Sequence, residues 1–494
     1  MSAWRLFCLL NRSSTLKRSI GSFSFFHEKA PFWTSAFRPC HRHHSSSSFL
    51  PPFDITLLDD PNFLAQTRAN LVARESTVDL DLILNMYKDY QSGQVNLHAD
   101  LMKLIRQLPN STHSSTPVGP PSNTRQIYIH GSRRIADWKM KDVATLCSFA
   151  SSQHLTEHPD NVCPVDAHLR LAGNTAGAGP RTYYFGGPLA QLELALIQFT
   201  LDRLNQAGFA LVSVPDILPE PIIEACGFPT RGTRSQVYRL CGSNNEMTYC
   251  LSGTAEMGLA AFCAGRTFDC GATDEDCASS TAVGLCAVSR CFRQEAPHQE
   301  PPLYRVHQFT KVEMFGLTAP DVLATDALFD KFVRIQIALF SDLGLHFRVL
   351  EMPTSELGNS AHRKIDIEAW MPGSNMFGEI SSTSNCLDYQ SKRLNIQWAM
   401  PSGEKRFAHT LNGTACAVPR MMKAILETHQ NENGTITIPE VLRPVLSKLG
   451  DSMTYKSLAL IFTLPCFEQS LTVILYPRSE STCQTGAFPS RFTE

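Results

Sequence analysis

The stretch "YRVHQFTKVEMF", residues 304–315, alternates like a β-strand yet carries an arginine, a histidine, a lysine and a glutamate. Strand side chains point to opposite faces in turn, so Arg305, His307, Phe309, Lys311 and Glu313 share one face. Tyr304, Val306, Gln308, Thr310, Val312 and Met314 share the other. A strand inside a sheet tolerates such a row of charges only if they pair with one another or meet a charged ligand. The chain must therefore build either an ion-paired interior or an occupied groove around this strand.

The rest of the sequence has room for both. With 494 residues, 43% of them apolar, it can bury at least one large core and form two or three domains. A formal net charge of -2 argues against a non-specific grip on nucleic acid by the whole surface, though not against a local basic groove. The 16 cysteines form no paired C-x-x-C knuckles and read as ordinary thiols. Residues 1–45 set Arg5, Arg12, Lys17, Arg18, Lys29, Arg38 and Arg42 against the single acid Glu28, with serines and apolar residues interleaved. This is the pattern of a mitochondrial transit peptide rather than a secretory signal. The most apolar run, residues 457–476, is interrupted by Pro465 and Glu468, so no membrane span is expected.

Residues 53–108 read as two or three short helices, carried by "DDPNFLAQTRANLVARE", "VDLDLILNMYKDYQ" and "LHADLMKLIRQL". Residues 109–124, dense in Pro, Ser, Asn and Gly, read as a linker or an irregular lead-in to the next domain. From 125 to 450 strand-like and helical stretches alternate without a strict βαβ rhythm. The periodicity predicts a helix over 189–208 and a strand over 209–219, whose Pro215 suits an edge or an interface. Further strands are expected at 303–316, 345–351, 364–369, 377–383 and 392–399, and a helix at 414–430. An antiparallel sheet with helices packed on it, an α+β fold, is the simplest fit.

Four segments place polar residues where a core would be apolar. In "LSGTAEMGLAAF" (251–262), Thr254 and Glu256 open a helical run, which a helix cap alone would explain. In "SRCFRQEAPHQEPPLYRVHQFTKVEMF" (289–315), Arg293 and Glu295 precede a loop and the charged strand follows it. The others are "DIEAWMPGSNMFGEISSTSNCLDYQSKRLNI" (366–396) and "FAHTLNGTACAVPR" (407–420), where Arg420 falls one to two turns inside the expected helix. Arginine suits bidentate phosphate contact, Phe309 suits stacking on a flat base, and Glu256, Glu313 and Glu379 suit a divalent cation or an ammonium group. No P-loop, G-x-G-x-x-G, H-E-x-x-H or G-x-S-x-G motif is present.

These segments resemble those of the mitochondrial seryl-tRNA synthetases, a class II aminoacyl-tRNA synthetase family. The similarity runs from about 181 to 420 through "RTYYFGGPLAQLELAL", "GFALVSVPDIL", "LSGTAEMGLA", "CFRQEA", "LYRVHQFTKVEMFG", "FGEISSTSNCLDYQSKRLNI" and "FAHTLNGTACAVPR". The resemblance implies an antiparallel catalytic sheet flanked by helices, a short helical N-terminal region, and a homodimer formed partly through the Pro215 segment. It implies ATP with Mg²⁺, and L-serine joined to mitochondrial tRNA(Ser) in the matrix, with tRNA(Sec) left open. By the same resemblance, Thr254, Ala255, Glu256, Glu313 and Thr414 would bind serine. Arg293, Gln294, Glu295, Arg305, Phe309, Glu379, Ile380, Ser381, Ser382 and Arg420 would bind ATP, with Arg293 and Arg420 catalytic and Glu379 and Ser382 holding the metal.

The chain also departs from the family pattern. The long N-terminal coiled-coil arm is missing: only 38 residues separate Leu71 from Pro109, about 57 Å as one helix and less than half that folded back. The 53–108 region is at most a remnant of a tRNA-binding arm. The loop "QEAPHQEPPLY" is short and lacks the family's basic residues, and the tail 451–494 has no family-like pattern. A synthetase-like protein that binds RNA or a partner without charging tRNA is the alternative reading.

Overall fold

Eight strands form the main sheet: β1 (Arg125–His130), β2 (Ala210–Leu211), β3 (Ala282–Phe292), β4 (Gln308–Thr318), β5 (Phe347–Glu351), β6 (Arg363–Met371), β7 (Met376–Leu387) and β8 (His409–Ala417). The computed structural model describes residues 54–93, 98–148, 162–164, 169–171, 179–232, 235–241, 247–269, 282–295 and 301–450. The transit-peptide segment, the loop residues 296–300 and the tail 451–494 lie outside the described residues. The strand order is β1-β5-β6-β7-β8-β4-β3-β2. All pairs are antiparallel except the edge, where β2 runs parallel to β3. The sheet is antiparallel as expected, with one short parallel strand added at its edge.

One face of this sheet is apolar. Phe347, Val349, Ile365, Ile367, Ala369, Ile380 and Leu411 point into the largest core cluster. That cluster is covered by α4 (Gly187–Gln206), α6 (Val322–Asp342) and α7 (Val418–Thr428). Gly413 of β8 is required here, because a Cβ would lie 2.9 Å from Phe332 of α6 and from Thr383. On the opposite face, α5 (Ala255–Cys263) covers only the far half of β4, burying Phe315 and Leu317. The near half, with Phe309 and Lys311, is left to a groove.

The N-terminal helices form where their caps allow. α1 (Pro61–Ala73) starts on Asp60, whose carboxylate accepts from Asn62 N, with Pro61 in the first turn; α2 (Leu80–Gln91) starts on Asp79, which accepts from Leu82 N. With α3 (His98–Ile105) they enclose their own cluster, including Leu71, Ile83, Tyr87, Leu101 and Ile105. Residues 109–124 take the irregular lead-in form rather than that of a free linker. Asn110 Nδ2 donates to Ser360 O and Cys386 O, and Pro117 O accepts from Thr354 N at 2.9 Å. Buried Arg74 donates to Ser111 O, Gly358 O and Ala361 O, which ties α1 to the sheet unit.

Several elements differ from the sequence expectation. The strand expected from 303 begins at Gln308. Pro301 and Pro302 remove two backbone donors and Leu303 takes φ 64°, so residues 302–304 form a turn and the chain stays irregular to His307, which alternation cannot describe. The helix expected over 414–430 is strand β8 up to Ala417 and helix α7 only from Val418, with Pro419 in its first turn. Small residues in β8 had mimicked a helix. The strand expected over 392–399 is the end of a helix (Tyr389–Leu394), a left-handed Asn395 at φ 52° and a short strand, Gln397–Ala399. The strand expected over 209–219 is split into Ala210–Leu211 and Ile217–Pro219.

Candidate active site

Two β-bulges set the site. Across β6 and β7, Asp366 pairs with Ser382, and Glu368 pairs with Glu379, with Ile380 as the extra residue. Asp366 and Glu368 are two apart on a strand and share a face, so Glu379 and Ser382 share it too, although three residues separate them. In β8, Ala415 is the extra residue: Lys311 pairs with Ala417 and Glu313 with Thr414, which puts Thr414 on the face of Lys311 and Glu313. A regular strand would have turned one member of each set away.

The groove has a volume of about 520 Å³ counted to its open mouth. Its walls include Arg293, Glu295, Arg305, Phe309, Glu379, Ile380, Ser381, Ser382, Thr414 and Arg420, brought together from four separate stretches of chain. Arg420, in the first turn of α7, donates to Glu379 Oε2 at 2.9 Å and to Tyr304 O at 3.0 Å, and its guanidinium lies 4.6 Å from the Tyr304 ring centroid. Burial would raise the Glu379 carboxyl, but Arg420, Lys364 and Arg293 reverse this and hold it down at about 2. It is therefore an anion with 37% of its side chain still open. Beside it, burial pushes Asp366 up to about 7, against the pull of Lys364 at 2.8 Å. The guanidinium of Arg293 lies 5.2 Å from the centroid of Phe309, and Phe309 is nearly covered, packed on Cys291 and Val306. Arg305 pairs with Glu295 at 3.3 Å.

Behind the groove lies a second, more enclosed polar cluster. Lys311 Nζ is 2.5 Å from Glu313 Oε2, and Thr414 Oγ1 donates to the same oxygen at 3.2 Å. Glu256, buried on α5, accepts at Oε1 from Gln390 Nε2 (2.6 Å) and from Asn412 Nδ2 (2.8 Å). Burial, reinforced by the Glu313 carboxylate and opposed by Lys311, raises the Glu256 carboxyl to about 8. Glu256 and Glu313 thus lie close enough to act on each other, with Lys311 against Glu313, and the balance favours a protonated Glu256 at neutral pH. Thr254 is the N-cap of α5, accepting from Glu256 N at 3.3 Å, and Ala255 is buried at the first turn. Thr254, Ala255, Glu256 and Glu313 are not in the groove wall.

Not every expected residue arrives at the site. Gln294 is exposed, its backbone N–H donating to Gln236 O, and does not line the groove. His307 leaves the charged face as well: its Nδ1 lies 2.9 Å from the Tyr238 hydroxyl and 3.1 Å from Arg293 O. Conversely, Tyr304, assigned by alternation to the opposite face, lines the groove, and its hydroxyl accepts from Glu379 N. Asn412 and Gln390 hold Glu256. Asn412 is two residues before Thr414 in "LNGT", which could have pointed to it; Gln390 and Tyr304 carry no comparable sequence signal.

Comparison with known proteins agrees with this geometry. Residues 281–429 match the tRNA synthetase class II core domain (G, H, P, S and T). The chain is 40% identical over 355 residues to the mitochondrial serine--tRNA ligase of Mus musculus, covering 72% of this chain and 64% of that protein. It is 36% identical over 360 residues to the serine--tRNA ligase of Rhodopirellula baltica, covering 72% of this chain and 78% of that protein. The match thus spans just under two thirds of the length of the mouse protein. The crystal structure of seryl-tRNA synthetase from Pyrococcus horikoshii complexed with ATP superposes with a TM-score of 0.67 at 28% identity, over 80% of this chain and 98% of that one. The eight-stranded sheet, the groove across it and these similarities together identify the chain as a member of the serine--tRNA ligase family of class II aminoacyl-tRNA synthetases.

Proposed function

We propose that this protein is an ATP-dependent serine--tRNA ligase of mitochondrial translation. The observation that carries the reading is the convergence of Arg293, Phe309, Glu379, Ser382 and Arg420 on one groove, with the Glu256–Glu313–Thr414 cluster directly behind it. ATP lies in the groove, its base against Phe309 once Arg293 swings from the ring to the phosphates. Serine lies over the inner cluster. Its ammonium group offsets the repulsion between Glu256 and Glu313 and so favours ionised Glu256. Its hydroxyl must meet polar groups that alanine would leave unpaired.

The serine carboxylate attacks the α-phosphorus in line, releasing pyrophosphate and giving seryl-adenylate. Arg293 offsets charge on the α-phosphoryl oxygens and Arg420 that on the leaving phosphates. A ribose hydroxyl at the RNA 3′ end then attacks the adenylate carbonyl, and AMP leaves. Glu379, anionic and partly open, and Ser382 on the same face would hold a Mg²⁺ beside the phosphates. When bound it would supply charge neutralisation at the phosphates. The segment at the β2 edge, where Leu211 and Ile217 are 62% and 52% exposed, suits the homodimer contact implied by the resemblance. The basic N-terminus suits delivery to the matrix, where mitochondrial tRNA(Ser) would be the acceptor.

The test is serine-dependent exchange of pyrophosphate into ATP by the purified protein. Exchange with serine and not with alanine supports the reading. No exchange at saturating serine, ATP and Mg²⁺ removes it and favours a synthetase-like binder.

A further inference from the structure

If RNA is the acceptor, its single-stranded 3′ end must cross the rim of the groove, and the N-terminal helices are poorly suited to guide it. Between residues 54 and 108, Arg68, Arg74, Lys88, Lys103 and Arg106 face an excess of acids: Asp54, Asp59, Asp60, Glu75, Asp79, Asp81, Asp89 and Asp100. Arg74 is buried and Arg68 is paired with Asp81. A net negative layer repels phosphates.

A better surface continues the groove itself. Trp370 pairs with Phe377 one step beyond the Glu368–Glu379 pair, and Arg348 pairs with Glu368. All of these side chains therefore stand on the groove face, Phe377 only two residues from Glu379. Here cations and rings interleave. The Arg133 guanidinium lies 3.7 Å from the Trp370 ring centroid, and Arg348 lies 4.5 Å from that of Phe377. Arg133 belongs to the segment "RRIADWKMK" (133–141), in which Arg133, Arg134, Lys139 and Lys141 outnumber the single acid Asp137. Arg133 and Lys139 are exposed.

That segment is firmly seated. Arg134 donates to Thr428 O and Gln430 O at the end of α7, and Gln430 bonds both N and O of Lys141. At the β6–β7 turn, a Cβ on Gly373 would lie 2.0 Å from Lys141 O. The backbone that carries Arg133 is thus anchored at Arg134 and Lys141 before any ligand arrives. Alongside opens a cleft of about 820 Å³, counted to its mouth and lined by Arg134, His346, Trp370 and Thr428. Thr428 is 9% exposed and its hydroxyl is buried with no hydrogen-bond partner.

We propose that this surface receives the single-stranded 3′ end of the acceptor RNA, an inference that rests on the ligase reading above. An unpaired base stacks on the outer plane of Arg133, the neighbouring phosphates face Arg133 and Lys139, and the cleft beside Trp370 and His346 takes an adjacent base. Unpaired bases stack on guanidinium planes as on aromatic rings, and cations without carboxylate partners meet phosphates at little desolvation cost.

The experiment compares binding of the full-chain protein to an RNA hairpin with a single-stranded 3′ overhang and to the same hairpin with a blunt end, by fluorescence anisotropy. The wild type should prefer the overhang. Arg133→Ala should weaken overhang binding by about 5- to 150-fold, the range for one lost base stack, and leave blunt-end binding nearly unchanged. Arg133→Lys, with charge but no plane, should recover only part of the loss. Lys139→Glu should weaken overhang binding and flatten its salt dependence. Pyrophosphate exchange involves no RNA and should keep its serine and ATP dependence in Arg133→Ala. An overhang preference absent from the wild type, or kept by Arg133→Ala, overturns the proposal. So does exchange that falls in step with RNA binding, because Arg133 would then be supporting the groove. Wild-type protein that prefers the overhang through Arg133 but catalyses no exchange would sink the ligase reading and leave the RNA surface standing.

Discussion

Replacing Glu256 with glutamine separates what this carboxyl does for the fold from the serine-binding role proposed for it. In the folded protein its carboxyl is raised from 4.5 to about 8 by burial and by Glu313. Between those values the unfolded chain has released the proton and the folded chain retains it, so this residue makes stability fall as pH rises through that window. At about 1.4 kcal/mol for each pH step, the loss approaches roughly 3–5 kcal/mol by pH 8 for a group this deeply buried. Glutamine keeps the oxygen that accepts from Gln390 and Asn412 and has no proton to hold. The Glu256→Gln protein should therefore match the wild type near pH 5 and be the more stable of the two near pH 8.5, in thermal melts followed by circular dichroism. Serine-dependent exchange should move the other way. An amide carries no charge to offset an ammonium group, so the KM for serine should rise by about 10- to 150-fold, the equivalent of a charged hydrogen bond worth about 1.5–3 kcal/mol. Melting temperatures of the two proteins that stay parallel from pH 5 to 8.5 would refute the reasoning. Glu256 would then be ionised throughout and paired with Lys311.

Phe309→Ala should raise the KM for ATP in the exchange assay by about 5- to 150-fold with a much smaller effect on serine; equal KM for ATP would make the ring mere packing against Cys291 and Val306. Arg420→Met should lower exchange by about 10²–10³ while the protein stays folded. Because Arg420 is the strongest influence holding Glu379 at about 2, the variant should also gain an acid limb in its pH–rate profile that the wild type lacks. Lys423→Met should destabilise the protein by about 3–5 kcal/mol, as measured by urea unfolding. It strands Glu427, its fully buried ion-pair partner at 2.5 Å. Residues 1–50 fused to a soluble reporter should carry it to mitochondria, and exchanging Arg12, Lys17 and Arg18 for alanine should abolish this; a diffuse cytosolic signal from the intact fusion would dismiss the transit-peptide reading.

Periodicity made the long elements legible, because a helix such as Gly187–Gln206 or a strand such as Arg363–Met371 keeps one pattern over its whole length. It failed where backbone chemistry interrupts the pattern. Pro301, Pro302 and left-handed Leu303 turned the first residues of the opening stretch into a loop, which sent Tyr304 into the groove and His307 out of it. The polar segments themselves stood out in the sequence because a sheet core has no other use for Arg293, Glu379 or Arg420. Their partnerships did not. Glu256 depends on Gln390 and Asn412, which lie 134 and 156 residues away, and no local pattern reports a contact closed by tertiary packing. The two bulges make the same point from the other side. Glu379 and Ser382 violate the two-residue period of a strand, as do Thr414 and Ala417, and both pairs nevertheless face the groove. A strand that obeyed its period would have sent Ser382 or Thr414 into the apolar face, where a hydroxyl without a partner costs more than the single ladder bond that a bulge gives up. In this sheet the irregularities are what bring these side-chain oxygens to the groove, so the strict alternation that reveals a strand is also what conceals its candidate site.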